Sequence, residues 1–118
     1  MLTFVLLMAG CFASTPTGYV AGRASWYGYE SARHPMANGA RFNPRKRTAA
    51  SYNFPLGTEL EVTNLRNGRR VRVTITDRGP AKRLGRLIDL SESAAAQLDY
   101  HRAGMTDVSV MVTRYLPN

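Results

Sequence analysis

Two runs dominate the patterning of the chain. In Glu59-Leu60-Glu61-Val62-Thr63 and again in Val71-Arg72-Val73-Thr74-Ile75-Thr76, apolar and polar residues alternate with period two. That period sends one set of side chains to a core and the other to water, so each run predicts a half-buried strand. Asn67-Gly68 lies between them, and this pair favours the positive φ angles of a tight hairpin turn. Val108, Val110 and Val112 alternate with Ser109, Met111 and Thr113 and predict a closing strand. Two shorter runs, Ala24-Ser25-Trp26-Tyr27-Gly28 and Leu87-Ile88-Asp89-Leu90, predict a first strand stopped by glycine and a further strand late in the chain.

One helix is expected, near residues 91–98. Ser91 is a good N-cap for Glu92-Ser93-Ala94-Ala95-Ala96-Gln97-Leu98, and Glu92 suits the positive end of the helix dipole. Residues 29–47 hold Pro35, Pro44 and Asn38-Gly39 with no sustained period, which predicts a long irregular loop. Loops of that length in a compact domain are often functional. Short strands at close spacing with one small helix point to a mainly β chain closed into a barrel, since closure removes the exposed edges that invite aggregation.

Composition narrows the options. At 118 residues the chain is one domain's worth, and 44% hydrophobic against 20% charged residues is enough to bury a core. No apolar run reaches the roughly 18 residues that span a bilayer. The net charge of +8 favours anionic partners. Nucleic acid is not expected among them, because no zinc finger, basic helix or RNP-type aromatic strand is present. One cysteine and two histidines, His34 and His101, leave no basis for an internal disulfide or a zinc cluster, so no metal or other cofactor is expected.

Cys11 closes the apolar opening Leu2-Thr3-Phe4-Val5-Leu6-Leu7-Met8-Ala9-Gly10. The pattern is similar to the end of a bacterial lipoprotein signal, with small residues before a cysteine that becomes lipidated. The segment is short and lacks a basic start, so an ordinary apolar terminus with a buried thiol is the alternative. On the first reading, residues 1–10 form the signal segment, 11–21 a Ser/Thr/Pro/Gly-rich tether, and 22–116 the domain. Acyl chains at Cys11 then hold the protein on a membrane.

A series of short motifs runs in order along the domain: Ala24-Ser25-Trp26-Tyr27-Gly28, Ala37-Asn38-Gly39 with Arg41-Phe42-Asn43, Thr48-Ala49-Ala50, Pro55-Leu56-Gly57-Thr58, Val62-Thr63-Asn64-Leu65, Asn67-Gly68-Arg69, Asp77-Arg78-Gly79-Pro80 and Ile88-Asp89-Leu90-Ser91. Together they resemble the rare lipoprotein A (RlpA) family. The resemblance implies a six-stranded double-psi β-barrel, related in shape to expansins, in a lipoprotein anchored in the bacterial cell envelope and facing the periplasm or cell wall. It implies an endolytic lytic transglycosylase that cuts peptidoglycan glycan strands, favouring strands stripped of stem peptides, with division proteins as partners. Many members also carry a C-terminal peptidoglycan-binding repeat domain, which is not expected within these residues. The alternative is an expansin-like module that binds peptidoglycan without turnover.

Cleaving a β-1,4 glycosidic bond needs a carboxylic acid to protonate the leaving oxygen while positive charge develops at the anomeric carbon. A lytic transglycosylase uses the muramic acid's own C6 hydroxyl as nucleophile, so a 1,6-anhydro end forms and no second carboxylate is needed to activate water. Asp77 is the candidate, because it ends an alternating strand at the Gly79-Pro80 turn and matches the acidic position of the family motif. Its bland alternative is a carboxylate that caps the turn and pairs with Arg78. Trp26, Tyr27 and Tyr29 offer flat faces to sugar rings, although Trp26 and Tyr27 must point to opposite faces of their strand. Asn38, Arg41, Asn43 and Arg78 supply donors, and forked guanidinium groups suit carboxylates. Two positions depart from the family: Ala40 stands where a glutamate usually follows Ala-Asn-Gly, and Ser51 where a histidine usually follows Thr-Ala-Ala. Glu30 and His34 lie in the same loop as candidate substitutes, or as solvated loop residues.

Overall fold

The computed structural model describes residues 19–28, 35–80 and 84–115; Cys11, Tyr29, Glu30 and His34 lie outside them. Six strands and one helix follow in the order β1 (Tyr19–Tyr27), β2 (Thr48–Ala50), β3 (Glu59–Asn64), β4 (Arg70–Asp77), β5 (Ile88–Ser91), α1 (Glu92–Gln97) and β6 (Met105–Arg114). The strands close into a barrel in the spatial order β1-β5-β2-β4-β3-β6. The β1–β5 and β2–β4 pairs are parallel and the other four are antiparallel.

The expected hairpin is β3–β4, with Val62 opposite Val71 and Leu60 opposite Val73. Gly68 takes a φ of 77° in the turn, a left-handed value that glycine accepts without strain. The inward set Leu60, Val62, Val71, Val73 and Ile75 meets Ile88, Leu90, Val108 and Val110 in the barrel core, all at most 2% exposed. Helix α1 closes one end of the core with Ala94 and Ala95, and Leu98 follows. Its N-cap is Ser91, whose side chain accepts from the Ala94 amide at 3.4 Å. The same hydroxyl donates to Lys46 O at 2.6 Å, which ties the helix start to the chain entering β2.

Two features differ from the sequence expectation. The first strand begins at Tyr19, so residues 19–21 are strand rather than tether; they pair with Met111, Val110 and Ser109 of β6. Their side chains are all exposed and show no alternation, which conceals a strand that is specified by β6. The second is β2, which follows directly on the expected irregular stretch and has only three residues, too few to show a period. It is nevertheless a full member of the barrel, held by β4 on one side and β5 on the other.

Candidate functional site

Asp77 reaches its position through a bulge. Thr48 pairs with Thr74 and Ala49 with Ile75, but the next partner of Ala50 is Asp77, so Thr76 is an extra residue on β4. Because side chains alternate, a one-residue slip exchanges faces. Asp77 therefore leaves the core-facing series Val71, Val73, Ile75 and shares a face with Ala50. On the other side of β2, Ala50 pairs with Asp89. The two carboxylates thus flank one alanine, about 10 Å apart at Cα from the spacing of neighbouring strands.

They line a cleft of about 240 Å³ together with Tyr27, Phe42, Ala50, Arg78, Gly79 and Pro80. Asp77 Oδ1 accepts from the amide of Ala37 at 2.9 Å and from that of Arg78 at 2.8 Å. Asn38 N donates to Thr76 O at 3.1 Å, so the 36–40 turn is clamped onto the end of β4. The carboxylate caps its turn as the bland reading expects, yet it also borders the cleft. The Arg78 side chain turns away from Asp77: its Nη1 donates to the carbonyls of Ser51, at 2.7 Å, and Phe54. That guanidinium braces the wall of the cleft.

Asp89 is half-buried, and burial pushes its carboxyl above the usual carboxylate range. The Ser25 hydroxyl, donating to Oδ1 at 2.6 Å, and the charge of Arg86 oppose that rise. Ser25 is itself fixed, because the buried Tyr100 hydroxyl donates to its carbonyl at 2.8 Å. Tyr27 completes the face. Its ring packs against Phe42 with centroids 4.5 Å apart, and its hydroxyl is buried with no partner among the described residues. Burial pushes that hydroxyl far above its ordinary value; the Thr48 and Thr76 side chains partly oppose the rise, and the Asp77 and Asp89 charges add to it. The group is a neutral donor sealed from solvent beside the Thr48 and Thr76 side chains.

Of the residues expected to hold substrate, Tyr27 and Arg78 line the cleft with Asp77. Trp26 does not. It faces the opposite side of β1, packs against the core, stacks on His101 at 4.3 Å and donates from Nε1 to His101 O at 3.0 Å. Asn38 and Asn43 spend their side-chain oxygens on loop turns, accepting from Ala40 N and Arg45 N at 2.9 Å. Arg41 is exposed, with its backbone bridged to Pro35. Ala40 is exposed and places no carboxylate beside the cleft. Ser51 is fully buried, donating to Leu87 O at 3.0 Å, and carries no group able to transfer a proton near neutral pH. Sequence reasoning missed Asp89. Its signal was a lone acid inside the apolar run Leu87-Ile88-Asp89-Leu90, read there only as strand.

Comparison with known proteins agrees with this geometry. Residues 19–110 match the family model described as lytic transglycolase. The chain is 44% identical over 102 residues to a probable endolytic peptidoglycan transglycosylase RlpA of Synechocystis sp., covering 86% of this chain and 32% of that protein. It is 46% identical over 96 residues to the protein of the same name from Aquifex aeolicus, covering 81% and 42%. It therefore spans less than half of the length of each of these two relatives. Among solved structures, the apo Clavibacter michiganensis expansin superposes with a TM-score of 0.62 at 28% identity, over 85% of this chain and 52% of that one. With a matching family model over most of its length and a closed six-stranded barrel carrying the motif acid at its cleft, this chain belongs to the lytic transglycolase family of double-psi β-barrel domains.

Proposed function

We propose that the domain cleaves the glycan strands of peptidoglycan as a lytic transglycosylase, with the sugar bound in the cleft between Asp77 and Asp89. The observation that carries this reading is the pairing of both acids with Ala50 on one open face. Asp89, which burial holds toward its protonated form, is the proton donor to the glycosidic oxygen. As the C1–O4 bond breaks, the cationic sugar forms beside Asp77, whose carboxylate stabilises it. The C6 hydroxyl then attacks C1 and gives its proton to Asp77, closing the 1,6-anhydro ring. One bond is broken and one made, one proton is donated and one received, and no water enters. This division replaces the single acid/base expected of Asp77 and does not call on groups at positions 40 and 51.

The cell envelope follows from the substrate, and the lipid anchor at Cys11 and recruitment to division proteins belong to the same proposal. Incubation of purified protein with stem-free glycan strands, read by mass spectrometry for anhydromuramic ends, is the deciding experiment. Such ends, lost in Asp77→Asn, support an enzyme. Binding with no new ends, unaffected by that substitution, assigns the domain to the expansin-like alternative, which the absence of proton-transfer groups at Ala40 and Ser51 favours. Mass analysis of the membrane-bound protein tests acylation of Cys11.

A further inference from the structure

A second concavity, of about 540 Å³, adjoins the cleft, and two chain segments run from one to the other. Phe42 borders the cleft while Pro44 and Arg45 border the second pocket, so only Asn43 separates the two along the chain. Phe42 and Pro44 are then at most about 7 Å apart at Cα. Tyr27 borders the cleft, and the next residue, Gly28, is buried against Glu92 of the pocket. A Cβ built on Gly28 would lie 3.4 Å from Glu92 Oε1 and 3.2 Å from Trp26 Cζ3. The platform of the pocket is His101. Its ring stacks on the Trp26 indole at 4.3 Å and Glu92 Oε2 lies 3.0 Å from Nε2, yet the side chain remains 41% exposed. A ring backed on one face and tethered at its edge offers a rigid surface to the apolar face of a sugar. The volume falls in the range of small-ligand sites.

The charges around that platform select among sugars. Arg45, Asp99 and Arg102 line the same pocket, are exposed and enter no ion pair among the described residues. Asp99 and Glu92 can accept from sugar hydroxyls and acetamido N–H groups. Guanidinium forks also serve hydroxyls, but their strongest partner is a carboxylate. In a stem-free strand each muramic residue carries one, on its lactyl ether. In a stem-bearing strand the same carboxyl is held in the amide bond to the peptide and has no charge. We propose that this pocket is a distal muramic acid subsite, in which the sugar ring lies on His101 and the free lactyl carboxylate pairs with Arg45 and Arg102. The inference rests on the peptidoglycan reading and deepens it, since the residue held here belongs to the strand that enters the Asp77–Asp89 cleft. It gives a physical cause for the preference for stripped strands that the family resemblance implies: removing the peptide uncovers the charge that the guanidinium groups bind.

The test uses the whole chain carrying Asp77→Asn, so that binding is read without turnover. Calorimetry measures its affinity for a stem-free glycan octasaccharide and for the same octasaccharide with its lactyl carboxyls converted to methylamides. The free acid is expected to bind about tenfold or more tightly than the amide. Adding Arg45→Ala with Arg102→Ala should abolish that difference by weakening the acid alone. His101→Ala should weaken both ligands, since the platform serves the ring rather than the charge. Arg70→Ala with Arg72→Ala removes the same charge from exposed positions on β4 and should leave the discrimination intact. Equal affinity for acid and amide overturns the proposal, as does no binding of either. So does discrimination that survives loss of both pocket arginines, or that falls equally in the β4 control. Circular dichroism confirms that each variant is folded. Anhydro ends produced by the parent chain without such discrimination would sink the subsite alone. Discrimination without anhydro ends would keep the subsite and sink the catalytic reading.

Discussion

Asp77 and Asp89 are each the register partner of Ala50, one across β4 and the other across β5. A methyl group between two acids leaves an open trough in which both carboxyls can reach the same ligand. If they act as one unit, Asp77→Asn and Asp89→Asn each lower the production of anhydro ends by about 10²- to 10⁴-fold. The double variant then falls little below the worse single one, since removing either half disables the pair. Rates measured on stem-free strands check this. Multiplying losses in the double variant would show that the two acids work independently.

Asp89 also ties stability to pH. Its folded-state carboxyl binds a proton more tightly than it does in the unfolded chain, because burial disfavours the charge. The stability it contributes is complete below the ordinary value of about 3.9 and is lost as pH rises through the higher folded value. Asp89→Asn keeps the shape and an acceptor for the Ser25 hydroxyl but cannot ionise. The variant should therefore melt above the parent at neutral pH, and the gap should close as pH falls below about 4. Melting curves followed by circular dichroism across that range decide the point; a constant gap would mean that Asp89 is not the cause.

Much of this was legible in the chain, and the failures have physical causes. The β3–β4 hairpin, β6 and α1 were readable because each repeats its period and carries its turn or cap: Asn67-Gly68 for the hairpin, Ser91 for the helix. The extension of β1 to Tyr19 was not, because pairing with β6 specifies it and the exposed Tyr19, Val20 and Ala21 carry no alternation of their own. The site was half legible. Asp77 was singled out from its motif, but plain alternation would have put it in the series of Val73 and Ile75, inside the barrel. Only the register slip at Ala49/Ala50 turns it outward, and a bulge between strands distant in sequence leaves no trace in either strand alone. Asp89 was hidden for a related reason: its significance depends on β2, a strand of three residues. Trp26 and Tyr27 divide between the two faces of β1 as alternation requires, Trp26 against the core and Tyr27 at the cleft; which residue takes which face depends on pairing with β5 and is written in neither one.

Asn64 predicts how much the barrel depends on a buried polar anchor. It is 1% exposed at the end of β3. Its Nδ2 donates to Leu98 O at 2.8 Å, while Oδ1 accepts from Thr106 Oγ1 at 2.8 Å and from Arg66 N at 3.0 Å. One side chain thus joins β3, β6 and the end of α1. Asn64→Leu fills the space but leaves buried partners without their bonds, which costs about 3 kcal/mol. Urea unfolding should show the midpoint lowered with an unchanged slope. A loss below about 1 kcal/mol would mean that water or the Asn67 side chain, which also donates to Leu98 O at 2.9 Å, replaces the anchor.

Gly22 predicts a coupling rather than a simple loss. It sits within β1 opposite Val108, and a Cβ built on it would lie 2.6 Å from Leu87 Cβ. Cβ is fixed to the backbone, so no rotamer of Leu87 relieves that approach. The strands cannot part easily either, because Leu87 N donates to Arg23 O at 2.9 Å. Gly22→Ala should cost about 1–3 kcal/mol by overpacking. In a Leu87→Gly background the obstructing Cβ is gone, and the same substitution should cost at least about 1 kcal/mol less, a favourable coupling of the size seen for residues in contact. A double-mutant cycle by urea denaturation measures it. Equal costs in the two backgrounds would mean that the β1–β5 approach does not set the requirement for glycine at position 22.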